Sequence, residues 1–186
     1  VPFLLIAPDT RGGALGDAGV ATSPDANSLH WNVAKLAFLG EMSGTRVKSE
    51  RPDFGISLSY SPWLRSLVDD MSLAYLSGYK ILNDKQAVTG ALRFFDLGTI
   101  TFTDINGSVI RDFKPIEFSF DVGFSQKLSD KLSGGFAGRY IHSNLTGGIG
   151  VNGAGSKAGR SAAADVSIFY TNPDLNIGGK DARLNI

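Results

Sequence analysis

From Glu117 to Ser125 the chain alternates strictly. Phe118, Phe120, Val122 and Phe124 hold the even positions, and Glu117, Ser119, Asp121, Gly123 and Ser125 the odd ones. After the turn Ser129–Lys131 the alternation resumes, with Phe136 and Tyr140 on one face and Ser133, Gly135, Ala137 and Arg139 on the other. Period-two alternation over about ten residues suits a membrane-crossing β-strand, whose two faces meet lipid and a polar lumen. Strands of soluble sheets typically run only about five or six residues. A register centred near Asp130 sets Asp121 opposite Arg139 on the polar face and Phe124 opposite Phe136 on the apolar face, a consistent cross-strand pairing.

The same reading extends along the chain. Phe54, Ile56, Leu58 and Tyr60 alternate with Gly55, Ser57 and Ser59, and Ser61–Pro62 ends this strand because proline cannot donate to a ladder. Trp63–Asp70 reads as a short amphipathic helix. Strands follow over Met71–Ile81, with Leu73, Tyr75 and Tyr79 on one side, and over Gln86–Leu97, with Thr89 and Arg93 facing away from Val88, Leu92 and Phe94. A long connection spans 98–116 and contains a turn at Asp104–Gly107; a second, glycine-rich one spans 143–160. A sixth strand covers Ser161–Tyr170, and Asp181–Ile186 begins a seventh.

The connections alternate between short and long, as in bacterial outer-membrane barrels with short periplasmic turns and long external loops. The turns 82–86 and 128–132 are therefore assigned to the periplasm, and the loops 98–116 and 143–160 to the outside. Aromatic residues then form two girdles, Phe54, Tyr79, Phe124, Phe136 and Tyr170 at one level and Tyr60, Phe94, Phe118 and Tyr140 at the other. The expected fold is an all-β transmembrane antiparallel barrel, residues 53–186 supplying its first six to seven strands. Six strands do not close a barrel, since the smallest have about eight.

By the same parity, residues 1–52 form a lead segment that starts on the periplasmic side and plugs the lumen from within or beneath. In it, Ser23 as N-cap with Pro24 and Asp25 predicts a short helix carrying Ala26, Leu29 and His30. Ala34–Gly40 reads as a strand or an irregular apolar stretch.

Composition narrows the chemistry. The chain starts at Val1 and reads as a processed product. Cysteine is absent and formal net charge is zero, which removes thiol chemistry and gives no sign of a nucleic-acid partner. No apolar run approaches the roughly 18 residues of a membrane helix. His30 and His142 lie outside any cluster with metal-ligand spacing, Asp104–Gly107 lacks the rest of a calcium loop, and Gly148–Gly155 follows no parallel strand as a phosphate loop would. No catalytic constellation and no cofactor site is expected. Arg93, Asp121, Arg139 and Asp165 read as a lumen charge network that holds barrel shape.

Two resemblances sharpen the reading. Gly16–Ala21, Asp25–Asn27 and Trp31–Ala34 resemble the lead-in of FadL-like outer-membrane barrels, with Val33 standing where that family carries proline. Val1–Asp9, Ala21–Ser28, Tyr60–Arg65, Leu97–Gly107 and Arg139–Ile141 look like the PorV family of the type IX secretion system. That resemblance implies a fourteen-stranded, non-enzymatic barrel in the outer membrane of a Gram-negative cell. It also implies a shuttle, which takes secreted cargo proteins bearing a type IX C-terminal signal domain from the SprA (Sov) translocon to the PorU attachment complex. Partner contacts would fall on Ser61–Asp70, Gly98–Ile116 and Ser143–Arg160, with Trp63, Leu64, Leu67, Phe102 and Ile105 as apolar anchors.

A FadL-like transporter of hydrophobic small molecules is the alternative, and it would need an apolar lumen, whereas these inner faces read Ser, Gly, Ala, Thr, Asp and Arg. A soluble β-sandwich adhesin or sugar-binding module is a third reading, and would stay in solution without detergent. The facing assignment predicts that Phe120→Arg costs roughly 2–4 kcal/mol in bilayer folding if it lies near the midplane. Ser119→Arg, facing a wet lumen, is expected to be milder in the same measurement.

Overall fold

The computed structural model describes residues 2–42, 53–66, 69–148 and 155–186. Its main element is a seven-stranded antiparallel sheet that curls into a half-barrel. The strands are β1 (Phe54–Pro62), β2 (Met71–Asn83), β3 (Gln86–Leu97), β6 (Ile116–Lys127), β7 (Leu132–Asn144), β8 (Gly159–Ile177) and β9 (Lys180–Asn185), hydrogen-bonded in that order. Between β3 and β6 a separate hairpin is built from β4 (Ile100–Thr103) and β5 (Val109–Phe113). The register places Asp121 opposite Arg139 and Phe124 opposite Phe136, as the alternation required.

The two faces of the sheet differ in kind. Outward residues are apolar and open, such as Leu58 at 75% and Phe120 at 52% exposure, together with Ile56, Leu76, Leu92, Phe136 and Ile168. Many inward residues are small or polar and buried, among them Ser77, Thr89, Arg93, Ser119, Asp121, Ser125 and Ser133, and they stand beside larger apolar ones such as Leu73, Tyr75, Phe95, Ile141 and Phe169. Tyr79 points inward and packs on the inner apolar cluster, so it leaves the girdle to which parity had assigned it. Ser119 is fully buried, so the wet surroundings expected for it are absent and an arginine there would be costly too.

Residues 2–42 lie against that inner face. They contain a 3₁₀ turn (Pro2–Leu5), α1 (Thr10–Ala14), α2 (Ser28–Trp31), a 3₁₀ helix (Val33–Phe38) and α3 (Leu39–Met42). The segment after Asn32 is thus helical, neither strand nor irregular; the Asn32 side chain accepts the Ala34 N–H and starts the turn. The preceding helix also begins later than Ser23. The Asp25 carboxylate takes the Asn27 N–H at 3.0 Å and Ser28 Oγ takes the Asp25 N–H at 2.9 Å. These local bonds hold residues 25–28 in a turn that competes with helix.

Docking of this segment relies on missing side chains. A Cβ at Gly123 would come within 2.7 Å of Leu29 and Val33, and one at Gly135 within 2.8 Å of the Val33 side chain and the Ala34 backbone. Leu29, Val33, Leu36 and Leu39 fill the space over Tyr75, Ala87, Ala91 and Ala137. Polar ties fix the position: Ser133 Oγ donates to the Ala34 carbonyl at 2.7 Å, Asn32 Nδ2 to the Ile168 carbonyl at 3.0 Å, and Ser77 Oγ to Asn27 Oδ1 at 2.8 Å.

Three connections differ from the sequence reading. The described part of 63–70 is a bend with turns, not a helix; Leu64 adopts φ 50°, and Trp63 N–H closes on the Met71 carbonyl at 3.0 Å. The 98–116 connection is the β4–β5 hairpin around the expected turn, where Gly107 has φ 82°. Strand β8 runs on to Ile177, seven residues past Tyr170, because the ladder shifts between Asn172 and Leu175. Pro173 sits in that irregularity, where no ladder donor is demanded of it.

Gly135→Ala is expected to lower stability by about 1–3 kcal/mol, the usual scale of overpacking, because the Ala34 backbone cannot step aside cheaply. Gly138→Ala, where the nearest atom to a new Cβ lies at 4.0 Å on the outward face, should be tolerated. Thermal unfolding of the two variants in one detergent checks the contrast.

Candidate functional site on the loop end of the sheet

The long connections meet at one end of the sheet. The Asp70 carboxylate accepts the Thr99 N–H at 2.7 Å, joining the β1–β2 connection to the start of the β3–β6 connection. This backbone hydrogen bond, more than any other cause, holds the Asp70 carboxyl below its ordinary range. Lys114, which follows β5, pairs with Asp96 at 2.7 Å, and that hydrogen bond raises the Lys114 ammonium above its usual value.

Arg111 ties the hairpin to the next loop. Its Nη2 donates to the Gly147 carbonyl at 2.6 Å, while its guanidinium lies 6.0 Å from the Phe102 ring centre and 5.5 Å from that of Phe113. A flat, weakly hydrated cation can serve both aromatic faces and a carbonyl at once. Thr101 Oγ1 also donates to Asp112 at 2.6 Å across the hairpin.

The anchors read from the sequence take different places in this arrangement. Ile105 is fully exposed at the hairpin turn, and Leu64 is exposed on its bend. Phe102 is half-buried beside Arg111 and Phe113. Trp63 is half-buried against Phe95, ring centres 6.4 Å apart and nearly perpendicular, within an inner cluster that includes Phe3, Leu73 and Ile141. Leu67 lies outside the described residues. Ile100, Val109 and Ile110 are further exposed apolar residues of the hairpin that the sequence reading passed over. Their signal was present: β-branched residues flanking Asp104-Ile105-Asn106-Gly107, a hairpin turn sequence.

A second cluster lies beneath, on the inner face. Arg139 and Asp121 form an ion pair through Nε and Oδ1. Arg93, 1% exposed, turns instead to the N-terminal segment: its Nη1 donates to the Phe3 and Leu4 carbonyls at 3.1 and 2.9 Å, and its Nη2 contacts His30 Nδ1 at 2.7 Å. Tyr75 lies under the guanidinium at 5.4 Å. Asp165 is exposed further along the sheet, without an ion pair among the described residues. Burial, and then the Arg93 charge, push the His30 imidazole down to about 3, so it stays neutral and can accept from Arg93. Burial also pushes the Lys35 ammonium down to about 8; its Nζ donates to the Gly19 carbonyl and to Thr22 Oγ1. Among the described residues no group of three His, Cys, Asp or Glu could hold a metal, and no helix is long and apolar enough to cross a membrane.

The family model described as type IX secretion system protein PorV matches residues 1–184. No curated protein matches the chain.

Arg111→Lys is expected to loosen the loop end, since an ammonium cannot stack on Phe102 and Phe113 while reaching Gly147. Loss of a cation–π contact and a charged hydrogen bond, together about 1–2 kcal/mol, corresponds to roughly tenfold faster proteolytic cutting within 104–107. Cleavage at the wild-type rate would show that Arg111 does not brace the hairpin.

Proposed function

We propose a function that starts from kinship: the chain belongs to the PorV family of type IX secretion system proteins. It is the first half of an outer-membrane barrel that catalyses nothing and carries secreted proteins. Cargo is held at the loop end through its C-terminal signal domain. It is received from the SprA (Sov) translocon and passed to the PorU attachment complex. Residues 1–52 plug the barrel.

One observation carries this reading beyond kinship. The loop end presents open Ile100, Ile105, Val109 and Ile110 on a hairpin that Arg111 and Asp70 brace against its neighbours. Apolar side chains on a pre-ordered support bind a protein partner without a large ordering cost. The outward wall supports the membrane setting, because Ile56, Leu58, Phe120, Val122, Phe136, Val166 and Ile168 form an apolar surface that water would not tolerate. Among the described residues the inner face, with its polar positions and its apolar clusters, is covered by residues 2–42, which speaks against the open apolar conduit that the transporter alternative needs.

Ile105→Asp and Ile110→Asp together should abolish recovery of cargo with the full-length protein purified in mild detergent, since buried apolar anchors are each worth about 2 kcal/mol or more. The variant barrel should keep its wild-type unfolding temperature. Normal cargo recovery from the folded variant would contradict the loop-end assignment, and saturable fatty-acid uptake by the intact protein would favour the transporter.

A further inference from the structure

His30 is the one titratable acceptor in the group that ties the start of the chain to the sheet. Arg93, rooted in β3, spends Nη1 on the carbonyls of Phe3 and Leu4 within the first 3₁₀ turn and Nη2 on His30 Nδ1. All three partners belong to the N-terminal segment, so a single guanidinium spans two parts of it. We propose that the His30–Arg93 contact is an acid-sensitive latch, which holds residues 2–31 against the inner face and weakens as the surrounding pH falls. The latch is independent of what binds at the loop end.

Two facts make the contact a switch. Nδ1 can accept from Arg93 only while it carries no proton, and a protonated ring would bring two cations to 2.7 Å. Among the described residues the neighbouring acids are already engaged, and the charge of Asp9, which favours a proton on His30, is outweighed by burial and by Arg93 and Arg139. Asp9, the nearest acid on the segment itself, already accepts Gly12 N–H at 2.8 Å and Trp31 Nε1–H at 3.1 Å. Asp121 on β6 is engaged by Arg139 of β7, whose charge also opposes a proton on His30. Tyr75 of β2 offers only its ring, beneath Arg93.

The sign follows from proton binding. The docked ring is held neutral down to about 3, whereas a released histidine takes up a proton near its ordinary 6.5. Between these values the released state binds the extra proton, so docking is complete above the upper limit and is lost as pH falls. Well inside that window, one proton per latch raises the released fraction about tenfold for each pH unit; close to 6.5 the rise is smaller. Carboxylates ordinarily titrate near 4, below the upper part of that window.

The chain has no cysteine, so one can be placed at will. Ser28→Cys is a fully buried position on α2, and Ile105→Cys is an open control. A pyridyl disulfide, which stays thiol-reactive in acid, labels both in the full chain. Labelling at 28 relative to 105 is expected to rise about 50-fold from pH 6.5 to 4.5, at one proton per latch. His30→Asn, which keeps an acceptor oxygen near the Nδ1 position and does not titrate, should flatten that slope. Equal slopes in the two backgrounds, or no rise in the wild type, would overturn the latch. Histidine-selective NMR of the unsubstituted protein gives a second reading: a His30 ring that titrates near 6.5 while residues 2–31 remain docked would also refute it.

Discussion

The close approach of Val33 and Ala34 to Gly123 and Gly135 is the constraint on which the rest of the structure depends. It requires β6 and β7 to carry no side chain where the 3₁₀ helix lies, and small or hydroxyl residues around it. Ser133 then reaches the Ala34 carbonyl, and the inner apolar cluster closes over Tyr75, Ala87 and Ala137. With this part of the inner face used up by the packing, the large apolar residues of β6 and β7 other than Ile141 are left to the outside. Alternation that looks like a pattern of strand faces is therefore also a record of what the inside must accommodate.

Electrostatics adds position to this packing. Buried Arg93 is satisfied mainly by main-chain carbonyls and a neutral imidazole, while Asp121 and Arg139 neutralise each other beside it. A buried ion pair of this kind adds little net stability, but loss of one partner is costly because the other remains uncompensated. Lys35 follows the same logic at the far side of α2, where its ammonium closes the Gly19–Thr22 loop. At the loop end the charges are open to solvent, and geometry matters more than charge: Arg111 serves as a flat spacer between hairpin and loop.

Strand existence, facing and register were legible because period two leaves no ambiguity once one face is apolar. The limits of that reading are physical. The alternation was followed only to Tyr170, whereas β8 continues through a ladder irregularity at Asn172–Leu175 that absorbs Pro173, a residue that cannot donate. Tyr79 looked like an interfacial ring by position alone, although its strand places it with Leu73 and Tyr75, as the alternation of β2 had already implied. The turn at Asp25–Ser28 and the helical course after Asn32 depend on single side-chain bonds, which periodicity does not report. Of the charges grouped from sequence, Asp121 and Arg139 could be paired by counting residues from the turn. The partners of Arg93 come from some sixty and ninety positions away, and no local pattern announces them.

In the proposed function the loop end, and not the turn end or the apolar wall, meets secreted proteins. Photo-crosslinking residues placed singly at Ile105, Val122 and Ile177 in the full-length protein in living cells test it most directly. The account predicts crosslinks from position 105 to proteins bearing the type IX C-terminal signal, and none to such proteins from 122 or 177. Cargo captured from position 177, with position 105 silent, would contradict it.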